Sequence, residues 1–410
     1  MKQTVRKPEL LIPASSLEVL KTAVAFGADA VYIGGEAFSL RAKAKNFTKE
    51  EMAQGIAYAH ERNVKVHVTA NILAHNYDLA DAAKYFKELG DLKPDALIVA
   101  DPGMVMLAKE NCPGIDIHLS TQANNTNWMT FRFWYEQGVK RVVCARELSL
   151  KEIREIREHI PEDMEIEAFV HGAMCISYSG RCLLSSFLAG RDANRGACTH
   201  PCRWKYSIVE ETRPGEYHPV YENERGTYIF NSKDLCMIDH IDDLMDAGID
   251  SFKIEGRMKT ALYVATVART YRKAIDAAME GKEAYAAILP WCNEEIRKCT
   301  YRLFTTGFYY GKPDSDAQIY DNNTYVNEYT YLGIVEAAEA NHVFLHQRNK
   351  FCVGDRVEIM KPDGRNIEAK VLSIRSEEGE EMESAPHPLQ ALRVELSEEA
   401  GVSDLLRQRA

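Results

Sequence analysis

Eight short apolar or β-branched runs recur through the first 257 residues, and this alternation limits the fold more than any other feature of the chain. The runs are ELLIPA from Glu9, AVYIGG from Ala30, KVHVTAN from Lys65, ALIVAD from Ala96, DIHLST from Asp116, RVVCAR from Arg141, IEAFVHG from Ile166 and SFKIEGR from Ser251. Between most of them lies a segment with apolar residues three and four apart, such as SLEVLKTAVAFGA at 16–28 and SLKEIREIREHI at 149–160, the period of a helix packed on one face. Eight such units predict an α/β fold, a closed TIM-like (β/α)8 barrel with outer helices. An open doubly wound sheet shares the alternation and stands as the alternative.

Both architectures gather ligands at the carboxyl ends of the strands. The polar residues that close the runs there are Asn71, Asp101, Gln122, Arg146, His171, Glu255 and Arg257, and as a set they outline a polar cup. One connection breaks the rhythm. Residues 172–250, between the seventh and eighth strands, form a long insertion, and long excursions at this end of a barrel build or cover the site. The insertion is therefore expected over the cup.

Past the barrel the texture changes. A helix-like run at 261–281 leads to YRLFTTGFYYGKPDS and a polar linker near YDNNTY. From about 327 onward, five or six short strands joined by Gly, Asn and Asp turns predict a small antiparallel β-barrel. The predicted organisation is a barrel with its insertion over 1–285, a connecting segment over 286–326 and the small barrel over 327–410. The terminal region holds more acidic than basic side chains, so it is not by itself an evident polyanion binder.

A hydrophobic content of 46% in 410 residues supports a large core. No stretch approaches the roughly 18 uninterrupted apolar residues of a membrane span, and the start lacks a signal-sequence pattern, so a cytoplasmic protein is expected. In such a reducing compartment ten cysteines suggest metal, cluster or catalytic chemistry rather than disulfides. The net charge of −11 argues against a surface that is basic throughout, yet leaves room for a local basic patch.

Cys175, Cys182, Cys198 and Cys202 follow the spacing C-x6-C-x15-C-x3-C, and Cys236 lies further on. Four soft thiolates fill the coordination of a tetrahedral zinc or a cubane iron–sulfur cluster. The second pair comes close to a zinc knuckle, while the C-x6-C half suits a bulkier cluster better, so both metals stay open. A cysteine nucleophile would need a neighbouring base, for which His171 and His200 are available, although four thiols exceed what that mechanism requires. H-E-x-x-H, G-x-S-x-G and a Walker-type loop are absent, as is the C-x3-C-x2-C run of radical enzymes. From Arg181 to Lys205 the chain carries Arg181, Arg191, Arg195, Arg203 and Lys205 against Asp192 alone, with Phe187 and Trp204 interleaved. Basic side chains mixed with stacking aromatics fit a single-stranded RNA contact, and a solvated loop with a buried tryptophan fits the same pattern. Arg257, Lys259, Arg269, Arg272 and Lys273 would add positive charge at the mouth of the cup.

The segments EAFVHGAMCISYSGRCLLS, NRGACTHPCRW, NSKDLC, SFKIEGRMK and FTTGFYYG, with ELLIPA, GADAVYIGG and RAKAKNFT before them, closely resemble the U32 family, historically called collagenase-like peptidases. Within that family the length and the added barrel resemble the branch that makes 5-hydroxyuridine at the wobble position of tRNA without oxygen. The resemblance implies a tRNA-modifying enzyme with a [4Fe-4S] cluster on Cys175, Cys182, Cys198 and Cys202, with Cys236 as a rival fourth ligand and zinc as the alternative metal. It also implies tRNA as partner and a link to prephenate, and leaves the electron donor unnamed. Candidate catalytic residues are His171, Glu255 and Arg257, and candidate substrate contacts are Arg41, Arg181, Arg195, Arg203 and Trp204. Glu255 and Arg257 would equally suit a salt bridge inside the barrel. A peptidase acting on collagen-like peptides and a non-catalytic RNA-binding or assembly partner are the competing readings.

Overall fold

The computed structural model describes residues 6–39, 46–175, 177–204, 207–209, 217–219, 231–313, 317–319 and 325–410; Arg41, Lys205 and the side chain of Arg203 lie outside them. All eight runs are strands: β1 Glu9–Pro13, β2 Ala30–Gly34, β3 Lys65–Ala70, β4 Ala96–Val99, β5 Asp116–Leu119, β6 Arg141–Val143, β7 Glu165–Gly172 and β8 Ser251–Ile254. Neighbours pair in parallel around the ring, and β8 pairs with both β7 and β1, through Phe252↔Ala168 and Leu10↔Phe252. The sheet is closed, which decides against the open alternative. Strands buried on both faces need apolar residues at consecutive positions, and Ala30–Gly34 is buried at every one.

The helices begin where the local chemistry starts them. Thr48 and Glu51 form a reciprocal capping box ahead of Lys49–His60, and Ser149 and Glu152 do the same for Leu150–His159. Asp101 caps Pro102–Asn111, whose proline occupies the first turn, where no N–H is required. Leu150, Ile153 and Ile156 are the buried face of their helix, as the spacing predicted.

The barrel interior holds a polar layer. Arg141 is buried among Glu9, Glu165 and Glu167, and Lys253 donates to Glu167 at 2.6 Å. His67 and His118 meet edge to face within it, ring centroids 4.7 Å apart. Burial works to raise the Glu9 carboxyl, but the Arg141 guanidinium outweighs it and holds the group at about 2. Burial lowers His67 to about 4, so its imidazole stays neutral.

The insertion contains the short helix Leu184–Ala189, single 3-10 turns at Ala193–Arg195 and Pro201–Arg203, and a strand, Asp234–Cys236, that pairs antiparallel with β7. The helix Ile241–Asp246 then leads into β8.

A second compact unit comprises Thr22–Ala28, Lys259–Tyr301 and Tyr325–Ala410. In it six antiparallel strands close a small barrel: Tyr329–Glu339, His342–His346, Arg356–Met360, Asn366–Ser376, Ala391–Leu396 and Leu405–Arg409. Leu332, Val343, Leu345, Phe351, Ile359 and Leu406 belong to its core. The helices Ala261–Glu280 and Lys282–Glu295 are joined to it by buried charge. Arg269 and Arg407 both bind Glu295, at 2.5 and 2.7 Å, and Arg269 also donates to the Lys361 carbonyl at 2.7 Å. Arg269 is therefore a buried structural cation and adds nothing to the mouth of the cup, contrary to the expectation from its place just after β8.

Candidate active site

The carboxyl ends of the strands and the insertion enclose a cavity of about 360 Å³, within the range of small-molecule sites. Tyr32, Thr69, Ile98, Val143, Phe169 and Lys253 form its barrel side, and Ala173, Met174, Ser177, Gly180, Arg191 and Asn194 of the insertion contribute to the other. Cys175, Cys182, Cys198 and Cys202 all line it, although 27 positions separate the first from the last. Each of the ten cysteines is a thiol rather than half of a disulfide. Buried Cys144, by contrast, has its thiol pushed up to about 12 and is a packing residue.

Among the described residues, the one trio of His, Cys, Asp or Glu whose ligand atoms fall within 4.8 Å of one another is His67, His118 and Glu167 in the polar layer. Glu167 already accepts from Arg141 at 3.0 Å and from Lys253 at 2.6 Å, one cation on each oxygen. That layer is neutralised by its own side chains. Among the described residues, no three of the cavity thiols lie within 4.8 Å of one another.

Cations ring the floor. Arg257 is buried and donates to Ser39 Oγ at 2.8 Å and to Thr69 Oγ1 at 2.7 Å. Its approach needs glycine at position 34, where a Cβ would lie 2.5 Å from the guanidinium. Arg146 stacks on Phe169 at 3.9 Å and reaches Glu255 at 3.8 Å and Ser179 Oγ at 3.3 Å. Glu255 thus faces Arg146 in the cavity wall. Lys253 sits 4.5 Å from the Tyr32 ring centre, and the Tyr32 hydroxyl donates to the Ile254 carbonyl at 2.9 Å. Asn71 Oδ1, Gln122 Oε1 and Arg146 Nε are buried without a hydrogen-bond partner.

His171 lies elsewhere. Lys253 pairs with Phe169 but Ile254 pairs with His171, a one-residue bulge in β7. The bulge shifts the side-chain alternation, so His171 is buried beside Phe304, 5.7 Å between ring centres, and is not among the residues lining the cavity. Cys236 pairs with His171 in the adjoining strand and is likewise off the lining. Of the expected RNA contacts, Arg181 and Trp204 are exposed, while Arg195 forms a two-bond ion pair with Asp78 at 2.8 and 3.0 Å. Arg191, a member of the basic run, lines the cavity. Sequence reasoning missed Lys253 and Tyr32 as site residues. A lysine within the otherwise apolar run SFKI was the available signal, since an unpaired lysine is not buried in a strand.

Closed barrel, strand-end cavity and four thiols in the cavity wall make up the candidate site. The chain belongs to peptidase family U32, whose model matches residues 15–319, and the U32 C-terminal domain matches residues 327–407. It is 42% identical over 405 residues to tRNA hydroxylation protein P1 of Bacillus subtilis, covering 98% of this chain and 95% of that protein. It is 40% identical over 426 residues to tRNA hydroxylation protein P of Escherichia coli, covering 93% and 92%. A protein named collagenase from Porphyromonas gingivalis is 34% identical over 390 residues, covering 90% of each.

Proposed function

We propose that this chain hydroxylates the wobble uridine of tRNA to 5-hydroxyuridine without oxygen, with a [4Fe-4S] cluster held by Cys175, Cys182, Cys198 and Cys202. The observation that carries the reading is the convergence of these four thiols on one cavity at the carboxyl ends of the barrel strands. Two near-full-length relatives bear the name tRNA hydroxylation protein, which supports tRNA as the substrate. The C-x6-C half of the run suits a cubane better than a zinc knuckle, which supports the cluster over zinc in this reading. When bound, such a cluster supplies electron-transfer chemistry at the mouth of the cavity.

The chain's own residues do the rest. Asn71, Gln122 and Arg146 meet the edge of the base, and Tyr32 and Phe169 flank it with rings. Arg257, with Arg146 beside it, supplies the positive charge that would hold the carboxylates of prephenate, the small-molecule partner in this reading.

The test is mass spectrometry of tRNA nucleosides from cells lacking this gene and any paralogue that masks its loss, complemented with wild type or Cys175→Ser. Restoration of 5-hydroxyuridine derivatives by wild type alone supports the reading. An unchanged nucleoside profile rejects it and moves the peptidase reading, suggested by the collagenase relative, ahead.

A further inference from the structure

The loop after β3, whose Asn71 lines the cavity, carries an exposed aromatic pair. Tyr77 is 71% exposed, and its ring lies parallel to that of His75, at 5° with centroids 5.4 Å apart. An exposed tyrosine alone means little. This one is held in place. Asp78, next to it and buried, accepts from the His75 N–H at 2.8 Å and closes the turn Asn76–Asp78. The same carboxylate receives both arms of Arg195, whose guanidinium also stands 5.4 Å from the Tyr77 ring centre.

The placement ties the pair to the site. Asn71, earlier on the same loop, lines the cavity, and so do Ala193, Asn194, Gly196 and Ala197 around Arg195. The neighbouring acids are spoken for, since Asp78 binds Arg195 and Asp192 accepts from the Asn194 N–H at 2.8 Å. Arg191, exposed and lining the cavity, adds positive charge. Fixed π-faces beside cations, on a loop that lines a pocket sized for a small molecule, are the recognition chemistry of single-stranded nucleic acid, where stacking tolerates any base.

We propose that His75 and Tyr77 form the stacking platform for a nucleobase adjoining the one in the cavity. The inference rests on the tRNA reading and adds a contact to it: the platform orders the flanking nucleotide so that the target base enters the barrel.

The experiment is fluorescence anisotropy of a labelled anticodon stem-loop RNA on the full chain, comparing wild type, Tyr77→Ala, Tyr77→Phe and Tyr77→Trp. Each is measured on intact RNA and on RNAs made abasic at either nucleotide beside the target. Tyr77→Ala should weaken binding about 5- to 150-fold, the range of one lost base–aromatic stack. Tyr77→Phe and Tyr77→Trp should bind as wild type does, because the ring and not the hydroxyl makes the contact. On one of the two abasic RNAs the alanine and wild-type proteins should bind equally. Equal binding of Tyr77→Ala and wild type to intact RNA, or a deficit that persists on both abasic RNAs, overturns the platform. The tRNA reading is judged separately by wild-type binding and the nucleoside profile. Wild-type protein that binds no RNA ends both. Matching melting curves for the four proteins exclude misfolding as the source of a deficit.

Discussion

A methyl group on Gly172 would meet the Glu255 carbonyl oxygen at 2.3 Å, and the residue adopts φ +105°, where an L side chain is strained. Gly172 ends β7 where the chain leaves for the insertion, so this glycine sets how closely β8 approaches below Glu255 and Arg257. Gly172→Ala is expected to cost about 2–5 kcal/mol of stability, from backbone strain and overpacking together, read as a lower urea midpoint. A midpoint equal to wild type would mean that the turn relaxes freely. The lysine in the last strand makes the complementary point. Lys253 is tolerated inside the barrel because Glu167 receives it at 2.6 Å and the Tyr32 ring lies beside it, a pairing no local pattern announces.

At the level of elements, one of the contacts that tie the insertion to the barrel runs through a buried carboxylate. Arg195 is 117 positions from Asp78, and its two hydrogen bonds hold the Asp78 carboxyl below the usual range. Asp78→Ala removes the anchor of the segment that carries Cys198 into the cavity wall. Limited trypsin digestion is expected to cut at Arg191 and Arg195 several-fold faster in this variant, while the barrel resists as before. Unchanged cleavage would show that the insertion is held by its other contacts. The insertion's presence over residues 172–250 was plain from the broken spacing, and its cysteines from their crowding. Its attachment was not, because an ion pair between distant loops leaves no periodic trace. The bulge that turns His171 away from the cavity was hidden for a related reason: alternation along a strand says which residues share a face only while the register is unbroken.

The whole molecule should be sensitive to acid. His67 has its pKa lowered from 6.5 to about 4 by burial, so between those values the unfolded chain binds more protons than the folded one. Its contribution is complete above pH 6.5 and is lost as pH falls toward 4, a loss of about 3 kcal/mol at 1.36 kcal/mol per unit. Glu9 and Glu295 follow at lower pH. Burial alone would raise both, but Arg141 in one case and Arg407 with Arg269 in the other hold them at about 2, against 4.5. Their contributions are present above pH 4.5 and disappear toward 2. Urea unfolding across this range should show a plateau above about pH 6.5 and a decline below it, with His67→Gln flattening the upper part of the decline. A flat profile down to pH 4.5 would mean that the folded barrel accepts the His67 proton.

By itself the sequence determined the eight barrel strands, the small terminal barrel, the excursion that breaks the eightfold rhythm and the four thiols that share it. Each is written in a local signal: a parallel strand needs an uninterrupted apolar run, a hairpin needs its turn residues, and four cysteines crowded into 28 residues stand out by their number alone. Tertiary structure alone decided that the sheet closes, that Lys253, Glu167, Arg141 and Glu9 form one neutralised layer, and that Arg269 is buried against Glu295. It also decided which polar residues at the strand ends reach the cavity. A buried charge is stable only where its counter-charge arrives, and that arrival depends on closure and register rather than on any neighbour along the chain.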